Sequence, residues 1–362
     1  MLLYHMPVKL LFGKNVIKAN TPVFDEFGKN AFIVTGRNSA KISGALSDVK
    51  YALRECNIDF TIFDKIPENP DIDTIYNAVN EFKKAGCDFI IGIGGGSPID
   101  AAKAISVIAK NNLKGMEFYN PEKLVNAYKI IVVPTTSGTG TEVTQYSVIT
   151  CGDVKNGFGS PLIFPAVSFA DPSYTFSLPA VNTRDTAVDA LSHLLEGLYS
   201  TKRNKLNYPL IFEGIKLIIE NLKPCLDNPE NYKYRENLML AAIYGGIVIA
   251  QTGTTAQHGI GYALTTQFGA SHGLVNGIVM KQMMLKNYKH IKEELDDLFA
   301  YLQITMNEFF EWLDSLEMSL GFTPENDFID KYAPEVLKAK NIKINPYPIS
   351  VEEIKEIYKS LS

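Results

Sequence analysis

The chain has 362 residues, more than one hydrophobic core usually supports, so two domains are expected. Hydrophobic residues make up 46% and charged residues 21%, with a formal net charge of -5, which excludes a disordered chain and leaves no basic surface for nucleic acid. Cys56, Cys87, Cys151 and Cys225 form no C-x-x-C pair, and neither a leader peptide nor a run of ~18 apolar residues is present, so the expectation is a reduced, cytoplasmic protein with no membrane partner.

From the start, short β-rich runs alternate with helical patterns. Ala31 to Thr35 and Ile58 to Phe63 read as strands with a helix to about Arg54 between them, and a helix from about Asp71 to Ala85 leads into the apolar run Asp88 to Ile93. This alternation is that of βαβ units in a parallel sheet, an α/β Rossmann-like nucleotide-binding domain. Its loops are therefore where a ligand is expected.

Gly94, Gly95, Gly96 and Ser97 follow the strand ending at Ile93 and precede Pro98 and a helix to about Lys110. Glycines admit a phosphate close to the backbone, and the helix N-terminus offers free N–H groups and a positive dipole end. A second loop, Pro134 to Glu142, follows the apolar strand Ile130 to Val133 and mixes Thr135, Thr136, Thr139 and Thr141 with glycine. Such residues suit a loop along a cofactor's phosphates or ribose, and equally a capped connector. At the end of the first strand the run is Thr35-Gly36-Arg37-Asn38-Ser39, with no acid for a ribose 2′-OH and an Arg for a 2′-phosphate; NADP is favoured over NAD.

From about Thr183 the pattern turns helical: Thr186 to Tyr199, Leu206 to Leu222, Glu236 to Ala250, His272 to Lys286, Leu295 to Tyr301, Met306 to Leu320 and Val351 to Leu361. Pro172 and Pro179 mark the connector, giving a dinucleotide-binding domain over 1–178 and an all-helical, metal-binding domain over 179–362. Asp189 and His193, four apart, share one helix face. His258 and His272, each followed by glycine, lie in nearly uncharged sequence where an imidazole needs a partner, either a hydrogen bond or a shared cation. One carboxylate with three imidazoles suits Fe(II), Zn(II), Ni(II) or Mn(II).

Three motifs now stand in order: GGGSPIDAAKA (Gly94 to Ala104), PTTSGTGTEVT (Pro134 to Thr144), and DALSHLLEGLYS (Asp189 to Ser200) with the HG pairs at His258 and His272. Together they closely resemble the iron-dependent (group III) alcohol dehydrogenase family, of the dehydroquinate synthase-like fold. The resemblance implies hydride transfer between NADP(H) and a small alcohol, aldehyde or ketone. It implies Fe(II), with Zn as alternative, on Asp189, His193, His258 and His272, facing a cofactor in the cleft between domains. The cofactor contacts expected are Gly36, Arg37, Asn38, Gly94, Gly95, Gly96, Ser97, Asp100, Thr135, Thr136, Thr139, Thr141 and Lys155; relatives are often homodimers.

Two positions depart from the family pattern. Tyr262 stands where relatives often carry a histidine for proton exchange and becomes the catalytic candidate, and Gly36 stands where NAD-preferring relatives often carry an acid. Tyr146, Ile249 and Tyr262 are the expected pocket walls, each equally at home in a core. Glu196 is open between a position behind the metal ligands and a helix surface. Alternatives are a zinc glycerol dehydrogenase-like enzyme, a dehydroquinate synthase-like lyase, and a non-catalytic NADP-binding sensor. The lyase needs a basic pocket, and Thr252 to His272 contains neither Lys nor Arg.

Overall fold

Six short apolar runs in the first half pair into one parallel sheet. The computed structural model describes residues 4–151 and 154–361, with the side chains of Val154 and Lys155 outside that description. The strands are β1 (Lys9–Phe12), β2 (Asn30–Thr35), β3 (Asp59–Phe63), β4 (Phe89–Gly94), β5 (Ile130–Pro134) and β8 (Val167–Ala170), in the order β1-β8-β5-β4-β2-β3. All are parallel, with Ile33 opposite Ile91 and Ile91 opposite Ile131. Successive side chains of β2, β4 and β5 alternate between two cores. Phe32, Val34, Ile90 and Val132 join one; Ala31, Ile33, Ile91 and Ile131 join the other. Burial on both faces explains why these strands read as continuous apolar runs.

The helices α1 (Val16–Ala19), α2 (Ser39–Ile42), α3 (Ala45–Glu55), α4 (Ile72–Ala85) and α5 (Gly96–Asn111) complete the α/β layers. β6 (Tyr146–Cys151) and β7 (Val154–Gly159) form a separate antiparallel hairpin that the sequence reading did not anticipate. Its polar, glycine-containing second strand lacks the apolar alternation on which a strand is recognised.

The second half is helical: α6 (Ala180–Tyr199), α7 (Tyr208–Asp227), α8 (Tyr232–Thr252), α9 (Ala256–Phe268), α10 (His272–Asn287), α11 (Lys292–Leu302), α12 (Met306–Asp314), α13 (Asn326–Val336) and α14 (Val351–Ser360). A parallel α/β domain is thus followed by a helical one. Two compact units divide the chain, Met1–Leu178 with Pro229–Met239, and Pro179–Asn228 with Leu240–Ser362. The short segment 229–239 belongs with the first unit although it lies within the helical half. Three helices differ from expectation. The helix expected over Met306 to Leu320 ends at Asp314, before Ser315, and neither α9 nor α13 was anticipated. Among the described residues no single helix is long and apolar enough to cross a membrane.

Candidate active site

In the sheet, β2 connects outward to β3, and β4 then returns to the opposite side of β2. The β2/β4 boundary is therefore a topological switch point, where α/β sheets bind ligands beyond the carboxyl ends of their strands. Gly36, Arg37 and Asn38 leave the end of β2 and Gly94 to Ser97 the end of the neighbouring β4, with Thr35 in register with Ile93. Arg37 and Asn38 are exposed.

The turn after β4 and the loop after β5 are built against each other. Thr135 N donates to Gly94 O (2.9 Å). A Cβ on Gly96 would stand 2.9 Å from Thr139 Cγ2, and one on Gly95 3.1 Å from Thr136 Cγ2, so glycine lets the two loops meet closely here without displacing those threonines. α5 begins at Gly96, and its N-cap Gly95 provides no side-chain hydrogen bond, leaving first-turn N–H groups open to an anion.

The expected cofactor residues divide by exposure. Gly95, Gly96, Ser97, Thr136 and Thr139 are half-buried at the surface of this cradle, whereas Thr135 and Thr141 are buried. Asp100 is engaged by the chain itself: Thr141 Oγ1 donates to its Oδ1 (2.6 Å) and Val148 N to its Oδ2 (2.9 Å). Asp100 and Thr141 thus fasten the loop to the start of β6. The Lys155 side chain lies outside the described residues.

Lys103, which sequence reasoning missed, is the central fastener. It lies two turns into α5, fully buried, and its Nζ donates within a cage of Thr141 O (2.7 Å), Thr141 Oγ1 (2.7 Å), Thr144 O (2.9 Å) and Tyr146 O (2.8 Å). Burial lowers its pKa from the ordinary 10.5 to about 8, against the opposing pull of Asp100 and Glu142. Glu142, equally buried, is pushed up to about 7. The signal in the sequence was a lysine among alanines on a helix with no polar face.

The second unit carries the donor cluster. Asp189 and His193 occupy successive turns of α6, nearly buried at 4% and 5% exposure. His258 enters from α9 and His272 is the first residue of α10. From Asp189 Oδ1 the Nε2 atoms of His193, His258 and His272 lie at 3.9, 3.7 and 3.8 Å, and the His193 and His258 Nε2 atoms are 3.1 Å apart. Gly273 is what allows α10 to start there. A Cβ at that position would fall 1.7 Å from Asp185 O on α6, so any side chain would drive His272 away from Asp189.

Glu196 is fully buried one turn past His193, and so is not a helix-surface carboxylate. Its Oε1 accepts from Thr255 N (2.7 Å) and Thr255 Oγ1 (2.8 Å), and its Oε2 takes a hydrogen bond from His258 Nδ1. Burial raises its pKa, but His258 and Thr255 outweigh that and hold it below the ordinary carboxylate value. With the His258 proton kept on Nδ1, the Nε2 lone pair faces the other donors, the arrangement by which outer carboxylates orient histidine ligands. Asp189 is likewise held at about 2: burial pushes it up, and His193, His272 and His258 more than compensate. One carboxylate oxygen and three imidazole nitrogens fit a borderline divalent cation such as Fe(II) or Zn(II).

Tyr262 follows His258 by one turn of α9. Its ring is stacked on His272, with centroids 5.5 Å apart and an interplanar angle of 8°, and lies 6.3 Å from the His258 ring. Ile249 is buried on α8 in the second unit. Tyr146 belongs to the first unit, where its ring packs against Gly159 across the hairpin.

Both halves of the chain match sequence models of a single family: residues 7–172 match iron-containing alcohol dehydrogenase, and residues 183–362 match the Fe-containing alcohol dehydrogenase family, C-terminal. The NADPH-dependent butanol dehydrogenase of Clostridium saccharobutylicum is 29% identical over 325 residues, covering 87% of this chain and 82% of its own length. The NAD-dependent methanol dehydrogenase of Bacillus methanolicus is 28% identical over 305 residues, covering 81% and 80%. The crystal structure of an iron-containing alcohol dehydrogenase from Thermotoga maritima has a TM-score of 0.94 at 35% identity, covering 99% of this chain and 98% of that one. With both halves matched, the chain belongs to the iron-containing alcohol dehydrogenase family.

Proposed function

We propose that this chain is an NADP(H)-dependent alcohol dehydrogenase and carbonyl reductase using Fe(II), with a small aliphatic alcohol, aldehyde or ketone as substrate. The observation that carries this reading is the convergence of Asp189 Oδ1 with the Nε2 atoms of His193, His258 and His272, backed by Glu196. These four residues hold the cation, Fe(II) or alternatively Zn(II). A bound cation would supply Lewis acidity toward the substrate oxygen, and a bound nicotinamide would carry the hydride.

The remaining work falls to the chain's own residues. Gly95, Gly96, Ser97, Thr136 and Thr139 seat the pyrophosphate at the N-terminus of α5, and Arg37 pairs with a 2′-phosphate, which favours NADP over NAD. Glu196 keeps the His258 proton on Nδ1, away from the donor face. Tyr262, stacked on His272, holds the phenol that passes the substrate's proton toward solvent. Ile249 supplies an apolar surface suited to a short alkyl chain.

Anaerobic purification with elemental analysis, together with His272→Ala, tests the reading. The wild type is expected to carry a transition metal and to reduce aldehydes with NADPH, and the variant to lose both properties. A wild type without transition metal, or a His272→Ala enzyme as fast as wild type, refutes it. Adding Fe(II), Zn(II), Ni(II) and Mn(II) in turn to metal-stripped protein identifies the occupant that supports turnover.

A further inference from the structure

The donor cluster contains a fifth polar group. Asn276, one turn after His272 on α10, is fully buried, and its Nδ2 lies 3.0 Å from Asp189 Oδ1, 3.3 Å from His258 Nε2 and 3.4 Å from His272 Nε2. One amide group with two N–H bonds thus faces three of the four donor atoms. Its other end finds no partner among the described residues. The Asn276 Oδ1 is buried and unbonded, turned toward α9, where a Cβ on Gly261 would stand only 3.0 Å from it. Gln257, also fully buried, donates its Nε2 to Asn276 O (2.8 Å) and holds the backbone at this point.

A buried, unpaired amide carbonyl is a cost that stability alone does not explain, since leucine would fill similar volume with no polar atom to satisfy. The amide orientation is dictated by its surroundings. Exchanging oxygen and nitrogen would set a carbonyl against the Asp189 carboxylate and the imidazole lone pairs. Lone pairs converging on one point repel each other, and the Asn276 N–H groups are placed to offset that repulsion and to fix which Asp189 oxygen faces the histidines.

We propose that Asn276 is a positioning residue of the metal centre, organising Asp189, His258 and His272 for the cation, and that Gly261 leaves the space into which its carbonyl turns. The inference rests on the reading of these donors as a metal site. Groups of this kind, hydrogen-bonded to metal ligands, typically change metal affinity by roughly 10–100-fold when removed.

Cobalt(II) binding to metal-stripped protein, followed by the visible absorption of the bound ion and by chelator competition, tests it. Asn276→Leu and Asn276→Ala are each expected to raise the cobalt Kd by about 10–100-fold. Gly261→Ala is expected to shift it in the same direction by displacing the amide. A wild type that binds no cobalt overturns the metal-site reading itself. A wild type that binds cobalt, with an Asn276 variant or Gly261→Ala binding it equally tightly and with the same spectrum, overturns only the role of Asn276. Thermal unfolding of each metal-stripped variant identifies those that are folded. If neither Asn276 variant folds, the Gly261→Ala cobalt Kd decides: a rise upholds the role and an unchanged value overturns it.

Discussion

Replacing Glu196 by glutamine preserves shape and burial while changing one hydrogen-bonding atom, which makes it a sensitive probe of the donor cluster. In the native protein, Oε1 accepts from Thr255 N and Oγ1, and Oε2 accepts from His258 Nδ1. A glutamine amide offers one acceptor and one donor. With its oxygen toward Thr255, its NH2 faces His258 Nδ1, and the imidazole must move its proton to Nε2, the atom that faces Asp189 and His193. With the amide reversed, the NH2 is set against the Thr255 backbone N–H, which loses its acceptor. Both arrangements forfeit a charge-assisted bond worth about 1.5–3 kcal/mol, which corresponds to roughly 10–150-fold in metal affinity. Chelator competition on Glu196→Gln measures this loss, and thermal unfolding of the metal-stripped variant is expected to show a native-like fold. A variant that binds Fe(II) or Co(II) as tightly as wild type would mean that Glu196 does not set the His258 tautomer.

Lys103 ties loop geometry to pH. Its native pKa of about 8 lies below the ordinary 10.5, so between those values the unfolded chain binds a proton that the folded chain lacks, and stability rises with pH across that window by up to ~3 kcal/mol. Lys103→Met should flatten that part of the urea-unfolding profile and, by freeing the Thr141, Thr144 and Tyr146 carbonyls, weaken NADPH binding; a rise as steep as in wild type would remove the assignment. Arg37→Ala is expected to weaken NADPH roughly 10–100-fold while leaving NADH nearly unchanged, since a bond to a charged group contributes about 1.5–3 kcal/mol. Equal losses for both cofactors in fluorescence titrations would argue against a 2′-phosphate contact. Tyr262→Phe should lower kcat by about 100-fold or more with metal content unchanged. A wild-type rate at every pH would show that the phenol takes no part in proton transfer.

Four of the six parallel strands, β2 to β5, were legible in the chain because they read as short apolar runs with glycine-rich turns at their ends, whereas β1, β8 and the β6/β7 hairpin were not. The four donor residues were legible mainly through the resemblance of their motifs to a family that carries such a set, and to a smaller degree as an Asp/His pair at helical spacing and two histidines set among uncharged residues. α9 was not, because AQHGIGYALTTQF carries no charged residue and shows no separate polar and apolar faces. Its helical period is invisible until Asn276 and Val275 are seen packed against Gly261, and Asn341 against Gly259.

The amino-acid order alone thus carried the class of fold and the motifs, through local spacing and apolar patterning, and the types of donor atom, through the resemblance those motifs bear to a known family. Tertiary packing decided the rest. It turned Asp100 and Thr141 inward to fasten a loop, gave Lys103 its cage, set Glu196 behind His258 and brought Asn276 to the donor cluster. These roles depend on contacts between residues as far as 87 positions apart, and no local pattern records which buried polar side chain will meet which partner.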